Sequence, residues 1–265
     1  MKKIAIIFVS FMILTISCEQ DSGKTIKEST RTEFYKLQVL VDSLDISGKY
    51  NLPTIVHNPK NKFEVAGILH NYECDFISGK MKNNNVMKNS DIKLNAIIKY
   101  SYEFAQTMNI EISNGLLETI PIDQMNYKGD FIPDEYLQLF ADSGLFTGNL
   151  KNLFIKLKDI VSKCSNLNEV QNSVVSFENE SLSDESLSEL DRQNILCACA
   201  IFRYSSAYWA SKTIDGKGFI KWLILGIADT MGFIEGTAIG GPAAGVIIAG
   251  GESLIVYAIL ENSEE

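Results

Sequence analysis

The amphipathic pattern is clearest between about Asn149 and Cys164. Apolar side chains recur there at intervals of three and four residues, which places them on one face of a helix and leaves the lysines off that face. The apolar positions are Leu150, Leu153, Phe154, Leu157, Ile160, Val161 and Cys164. This spacing predicts an amphipathic helix that packs against the rest of the protein.

Less regular forms of the same period predict further helices, over residues 33–44, 63–77, 90–108 and 167–177. The first of these is expected to end at Ser47–Gly48, and the acidic, serine-rich stretch 178–189 is expected to contain the loop after the last. Ser183 is a suitable N-cap, with two acidic residues in the first turn, for a helix that continues to about Lys212.

The region between the helix expected over residues 90–108 and the one expected from Asn149 adds one more helix. Pro133 begins it and Gly144 ends it, whereas residues 110–128 have no decisive pattern. No run in the chain alternates apolar and polar side chains as a half-buried strand does. The expected fold class is therefore all-α, a multi-helix bundle.

Small residues recur at four-residue intervals through the C-terminal segment, residues 218–260. They are Ala228, Gly232, Gly236 and Gly240, followed after Gly241–Pro242 by Gly245, Ala249 and Ser253. Four-residue spacing keeps them on one helical face, where small side chains let two helix backbones approach closely. Pro242 suits a first helical position, so we expect a bend at Gly240–Gly241 between two antiparallel helices.

Each arm of this helical hairpin is long enough to cross a bilayer, which takes about 20 residues. However, the first arm carries Lys221, Asp229 and Glu235, and the second carries Glu252. Each such charge at bilayer depth costs about 2.5–3.5 kcal/mol. We therefore expect a hairpin buried inside the body of the protein, with conditional membrane insertion and a constitutive span as the alternatives.

The N-terminus has the three parts of an export signal. Two lysines precede the apolar run Ile4–Leu14, and Ser17 stands directly before Cys18. A small residue before the first cysteine after an apolar core resembles the lipobox of bacterial lipoproteins, although Thr15 occupies a position where that motif usually has leucine. The resemblance implies that Cys18 is lipidated, as with palmitate, and becomes the mature N-terminus.

This interpretation divides the chain into a signal peptide (residues 1–17), a flexible polar tether (residues 18–32) and a single all-helical domain (residues 33–265). Several acyl chains on Cys18 give a stable membrane anchor, which one chain does not. The expected location is the cell envelope, at the outer membrane on its periplasmic or surface leaflet. An ordinary cleaved signal and an uncleaved anchor are the alternatives.

The charge of the mature chain excludes two classes of partner. Removal of the signal, with its two lysines, leaves 22 basic and 33 acidic side chains and a formal net charge of −11. Such a surface repels phosphate backbones and anionic lipid headgroups. We therefore expect no nucleic-acid partner and no attachment through a basic patch, while a protein partner stays open.

Four short segments form a pattern in which an NP…GxxHN segment precedes a YW helix and a glycine-rich ending: Asn58–Asn61, Gly67–Asn71, Ser206–Trp209 and Trp222 with Ala228–Asp229. This pattern resembles a group of Bacteroidota lipoprotein-like proteins of uncharacterised activity. The resemblance implies a shared fold and no particular activity. The glycine series alone is also similar to bacteriocin-like and glycine-zipper proteins.

The two histidines, His57 and His70, are the natural candidates for acid–base chemistry or metal binding. His70 and Cys74 share a helical face and could bind a metal, with His57 as the third ligand from a loop. The alternative, which we favour, is that His70 and Asn71 hydrogen-bond backbone groups of a neighbouring loop such as 58–59. GxSxG, HExxH and P-loop motifs are absent from the sequence, and no cofactor is expected.

The acidic residues of the first arm are not expected to form a catalytic pair. Asp229 and Glu235 are six residues apart and so lie about 120° apart around one helix. Asp229 is expected to be a buried hydrogen-bond acceptor or an ion-pair partner of Lys221 or Arg203. The aromatic side chains with helical spacing favour a core over a sugar-binding surface; they are Tyr204, Tyr208, Trp209 and Trp222.

The function expected from the sequence is a lipid-anchored envelope protein that acts without catalysis, through interaction or structure. The first alternative is a membrane-active, bacteriocin-like or pore-forming effector that inserts the glycine-rich hairpin. The second is a metal- or histidine-dependent hydrolase. The pairing of Cys74, Cys164, Cys197 and Cys199 does not follow from the sequence.

Overall fold

The computed structural model describes residues 35, 37–44, 46–50, 52, 54–83, 90–112, 142, 147–212 and 219–262. No β-strand occurs among these residues, and the all-α fold class is confirmed. The helices are α1 (residues 37–44), α2 (Ser47–Tyr50), α3 (Glu64–Asn83), α4 (Ser90–Thr107), α5 (Gly148–Val161), α6 (Leu167–Ser183), α7 (Glu189–Lys212) and α8 (Phe219–Asn262).

Some predictions fall outside the described residues. These are the signal peptide, Cys18 with its lipid, the tether and nearly all of the helix expected from Pro133. The first helix ends at Leu44, as predicted, but Ser47 and Gly48, expected to form the stop, instead begin the short helix α2.

Helix α5 begins within one residue of its predicted start, but it ends at Val161, three residues before Cys164. The hydroxyl of Thr147 accepts a hydrogen bond from the Leu150 backbone N–H at 3.0 Å and so caps the N-terminus. Leu150, Phe154, Leu157 and Val161 are buried on one face. The predicted stripe is therefore the face that packs against the core.

The expected N-cap Ser183 is wrong. Ser183 is the last residue of α6, and its hydroxyl donates to the Asn179 carbonyl at 3.0 Å, as a serine inside a helix does. Phe177, Glu178 and Ser181 are buried, so α6 continues past its expected end at Phe177 to Ser183, and the loop, residues 184–188, lies within the predicted stretch 178–189. The cap of α7 is Ser188, whose Oγ accepts a hydrogen bond from the Asp191 N–H at 3.1 Å.

Helix α7 lies at the centre of the bundle. It contacts α3, α5, α6 and α8, and every residue from Ile195 to Trp209 is buried. A helix that is buried on all sides must also bury its polar residues, and each of them needs a partner inside the protein. The polar side chains between Arg203 and Ser206 are therefore expected to have hydrogen-bond or ion-pair partners inside the bundle.

Helix α8 is the predicted antiparallel hairpin. Gly241, with φ 82° and ψ 177°, breaks it into a first arm before this residue and a second arm that begins at Pro242. A Cβ built on Gly236 would lie 2.7 Å from the Cα of Gly245, and one on Gly232 would lie 3.0 Å from the Cα of Ala249. The two backbones therefore touch along the small-residue stripe, as the spacing predicts.

Gly240 differs from the other glycines of the series, because it is exposed at the bend and not packed in the stripe. The rest of the hairpin contacts α3, α4 and α7. One stretch within the described residues, Gly240–Ala258, is long and apolar enough to cross a membrane, and 78% of it is buried inside the protein. The arrangement agrees with the expectation of a hairpin inside the body.

Candidate functional site

The most unusual site in the described residues is a buried polar cluster where α3, α7 and the hairpin meet. We name it the hairpin cluster and define it by six residues: His70, Glu73, Cys74, Ser205, Asp229 and Glu252. All six are completely shielded from solvent. Charged side chains are very rarely buried without partners, so the contacts inside this cluster decide its chemistry.

His70 pairs with Asp229. Its Nε2 lies 3.2 Å from Asp229 Oδ2, and its Nδ1 lies 3.0 Å from the side-chain oxygen of Asn71. Ser205 donates a short hydrogen bond to the same Oδ2 atom. Three helices are thereby joined through one carboxylate.

Two predicted contacts of this site are wrong. Asp229 pairs with His70 and Ser205, whereas Arg203, one of its two expected partners, bonds Glu178 and Glu64. Asn71 donates to the Tyr204 carbonyl of α7 at 3.1 Å and not to the loop around Asn58. The reason is that α3 crosses α7 at Gly67, where a Cβ would lie only 2.6 Å from the Tyr204 ring. This close approach turns the neighbouring polar side chains toward α7.

The pKa of His70 is set by opposing effects. Burial alone lowers it, but contacts with Cys74 and the ion pair with Asp229 raise it well above 6.5. Burial raises the pKa of the Cys74 thiol, which favours its neutral form, and the Asp229 carboxyl group lies 3.2 Å from Nε2 of His70. These contacts favour the protonated imidazole, in which Nε2 donates to Asp229 and Nδ1 donates to Asn71.

This geometry differs from that of a catalytic relay. Cys74 Sγ lies 3.9 Å from Nε2 of His70, the same nitrogen that faces Asp229. In a nucleophile–histidine–carboxylate triad, the nucleophile and the carboxylate use opposite nitrogens of the ring. Ser205 bonds Asp229 directly, without the imidazole between them. Neither Cys74 nor Ser205 is thus placed for activation by His70.

The remaining carboxyl oxygens of the hairpin cluster make no hydrogen bond of ordinary distance and angle among the described residues, although the Ser101 hydroxyl lies near Glu73. Both oxygens of Glu73, both oxygens of Glu252 and Oδ1 of Asp229 are buried and unpaired there. Glu252 lies against the first arm, since a Cβ on Gly232 would come within 2.5 Å of its Oε2. Glu73 lies against Gly250 of the second arm in the same way. The second arm is therefore contacted by Glu73 of α3, and its own Glu252 extends to the first arm.

Burial determines the protonation of these acids. It raises the pKa of Glu73 well above 4.5, against the smaller lowering effects of His70 and the Ser101 hydroxyl. It also raises the pKa of Glu252, and the nearby Glu235 and Asp229 raise it further. Glu235 is partly buried, and burial raises its pKa to about 7. Burial thus favours the neutral, protonated form of both Glu73 and Glu252.

A second buried network, which the sequence did not reveal, surrounds Arg203. The guanidinium donates to Glu178 Oε1 at 3.0 Å, to Glu64 Oε1 at 2.6 Å and to the Val56 carbonyl at 2.6 Å. Glu178 also accepts hydrogen bonds from the side-chain amides of Asn58 and Asn61. Burial raises the pKa of Glu178, but this set of converging donors is one that only an ionised carboxylate accepts fully.

The Asn58–Asn61 segment has a structural role in this network. The side-chain oxygen of Asn58 accepts a hydrogen bond from the Lys60 N–H, and that of Asn61 accepts one from the Phe63 N–H. These contacts form the turn that leads into α3. The amides then attach the turn to Glu178 of α6, which fixes the entry of α3 relative to α6 and α7.

The metal-site alternative has no support among the described residues, which contain no group of three histidine, cysteine or acidic side chains placed to hold an ion. His57, the proposed third ligand, contacts Glu64 at 3.1 Å in the Arg203 network. The four described cysteines are free thiols. The aromatic residues of α7 and α8 that the sequence assigned to the core are buried there, as predicted; they are Tyr204, Tyr208, Trp209 and Trp222.

Comparison of the chain with protein-family models, with curated proteins and with solved structures found no match. The resemblance carried by Asn58–Asn61, Gly67–Asn71 and Ser206–Trp209 therefore stays a prediction.

Proposed function

We propose that this chain is a lipid-anchored protein of the cell envelope whose helical body acts by binding or scaffolding, without catalysis. The observation that carries the proposal is the burial of the hairpin. The one stretch of the described chain able to cross a membrane, Gly240–Ala258, is used as core. A lipid on Cys18 then remains as the anchor of a protein whose acidic surface is repelled by anionic headgroups.

The hairpin cluster supports a non-catalytic role. Its histidine contacts Cys74 and Asp229 through one nitrogen, and all its members are shielded from solvent. A substrate would have to displace the second arm to reach them. The chemistry of the cluster is that of a structural ion pair that joins α3, α7 and α8.

The anchor is tested by Cys18→Ala in the full chain expressed with its signal. We expect the wild-type protein to incorporate an alkyne-labelled fatty acid and to enter the detergent phase on Triton X-114 partitioning. The variant should lose the label and move to the aqueous phase. A variant that stays in the detergent phase would show that another segment anchors the protein.

A second candidate function is insertion of the hairpin into a target membrane. The observation in its favour is the orientation of Glu252, whose side chain lies over Gly232 on the facing arm. A detached hairpin could keep this carboxyl group between its arms and away from lipid. Asp229 counts against it, because its partners His70 and Ser205 belong to other helices and would be lost on detachment.

Dye release separates the two functions. We expect the purified chain to release no dye from anionic or neutral vesicles at pH 5 or pH 7.5. Glu73 and Glu252 supply little drive for insertion at acid pH, because burial already favours their protonated form in the folded state and a proton that both states hold shifts no equilibrium. Release of the dye at either pH would favour the membrane-active candidate over scaffolding.

A further inference from the structure

The second arm of the hairpin is held in place by acids that have no partner for a negative charge among the described residues. Glu73 contacts it from α3 at Gly250, and Glu252 extends from it to the first arm at Gly232. All four oxygens of these two side chains are buried and unpaired. An ionised carboxylate in such a place costs several kcal/mol, whereas the neutral acid costs far less.

We propose that Glu73 and Glu252 form a proton lock on the hairpin, in which both carboxyl groups must be protonated for the second arm to stay packed against α3 and the first arm. Loss of these protons as the pH rises frees the arm from α3 and from the first arm. The second arm is thus held more firmly at low pH and less firmly at high pH. This inference does not depend on the lipid anchor or on the scaffolding function.

The charged groups around Glu73 and Glu252 determine the direction in which pH acts on the lock. Glu252 faces Asp229 and Glu235 on the first arm, and both raise its pKa. Glu73 faces His70 and Cys74 on its own helix and the Ser101 hydroxyl on α4. Within the described part of the chain, His70 is the cation of the cluster, and it is already paired with Asp229 at 3.2 Å. Neither acid therefore has a counter-ion of its own there.

The sign of the pH dependence follows from the direction of these shifts. Each acid has a folded-state pKa above the value of about 4.3 that an exposed glutamate has. Its stabilising effect is complete below that value and is lost as the pH rises toward the folded-state pKa. His70 acts in the same direction, because its raised pKa stabilises the fold below about 6.5 and the effect is lost at higher pH. All these groups thus loosen the hairpin on the alkaline side.

The lock is tested by thiol accessibility. Cys74 lies under the second arm, with its Sγ 3.9 Å from the Gly250 carbonyl oxygen, while Cys197 and Cys199 lie on α7 near Glu178. The purified chain is treated with a methanethiosulfonate reagent between pH 5 and pH 9, and each site is followed by peptide mass spectrometry. The Cys74 rate is divided by the rate of the same cysteine in the urea-unfolded chain at the same pH, and this ratio is free of the intrinsic pH dependence of the thiol reaction.

We expect this ratio to rise at least tenfold over that range, since each proton released on opening changes the equilibrium by up to tenfold per pH unit. Glu73→Gln with Glu252→Gln should flatten the rise by at least tenfold, because the amides stay neutral. Glu185→Gln, at an exposed position, should leave it unchanged.

Three results would overturn the proposal. They are a wild-type ratio that does not change with pH, a double variant that keeps the full rise, and equal increases at Cys74, Cys197 and Cys199, which would mean global unfolding instead of release of the arm. The wild-type measurement decides the direction even where the double variant does not fold.

Discussion

Arg203→Met is expected to destabilise the protein by about 3–5 kcal/mol, because removing one partner of a buried ion pair leaves the other charge uncompensated. Arg203 is completely buried and is the only cation that contacts Glu178 in the described residues. Its loss also removes the donor to the Val56 carbonyl and one partner of Glu64. The measurement is the free energy of unfolding from urea denaturation followed by circular dichroism.

Two further variants give this experiment its controls. Arg203→Met with Glu178→Gln should recover part of the loss, because the uncompensated charge is then removed and the amide oxygen can still accept from Asn58 or Asn61. Lys156→Met breaks a pair with Glu180 in which both side chains are more than half exposed, and should cost less than about 1 kcal/mol. An Arg203→Met loss no larger than that of Lys156→Met would contradict the buried network.

Gly236→Ala is expected to destabilise the protein by about 2 kcal/mol or more. Alanine is the better helix former by about 1 kcal/mol, but its Cβ would lie 2.7 Å from Gly245 Cα and 2.8 Å from the Ala244 carbonyl oxygen. Both contacts are with backbone atoms, which cannot rotate away as a side chain can. The two arms must separate, and the penalty for overpacking outweighs the gain in helix propensity.

Gly79→Ala is the matched control for this substitution. Gly79 lies within α3, and a Cβ built there meets nothing within 4 Å. The same chemical change should therefore stabilise the protein by about 0.5–1 kcal/mol. Thermal unfolding of both variants measures the difference, at about 2–4 °C per kcal/mol for a chain of this size. Similar melting temperatures for the two variants would show that the arms are not in backbone contact.

The comparison of Gly236→Ala with Gly79→Ala separates the effect of backbone contact in the small-residue stripe from the general effect of replacing glycine in a helix. Four-residue spacing alone identifies Gly232, Gly236 and Gly245, because only small residues on one face allow two helices to touch through their backbones. The bend at Gly241 follows from its position before Pro242. The contact of Gly236 with Gly245 and the positive φ of Gly241 agree with both inferences.

The ends of helices were less predictable than their cores. Ser183 and its acidic neighbours look like an N-cap, yet the buried face of α6 continues through Phe177 and Ser181. Local composition favours a cap at this place, but the packing of α6 against α7 decides where the helix ends. A serine followed by acidic residues can either cap a new helix or end the preceding one. Here the burial of α6 against α7 determines that Ser183 ends α6.

The partners of the buried polar groups could not be predicted from the sequence. Asp229 had two candidate cations, Lys221 and Arg203, and instead pairs with His70 of α3. Gly67 permits the close approach of α3 to α7 by leaving room for the Tyr204 ring. Glu73 gave no signal of burial, since a glutamate on a helix is ordinarily solvated.

The sequence by itself determined the all-α class, the apolar faces of the helices and the pairing of the two arms of the hairpin, because these depend on periodic spacing along one chain segment. Only the tertiary structure decided that His70 belongs to Asp229, that Arg203 belongs to Glu178, and that Glu73 and Glu252 have no partner for a negative charge among the described residues. Each of these contacts depends on residues far apart in the chain, and the protonation of an acid depends on the whole environment that surrounds it.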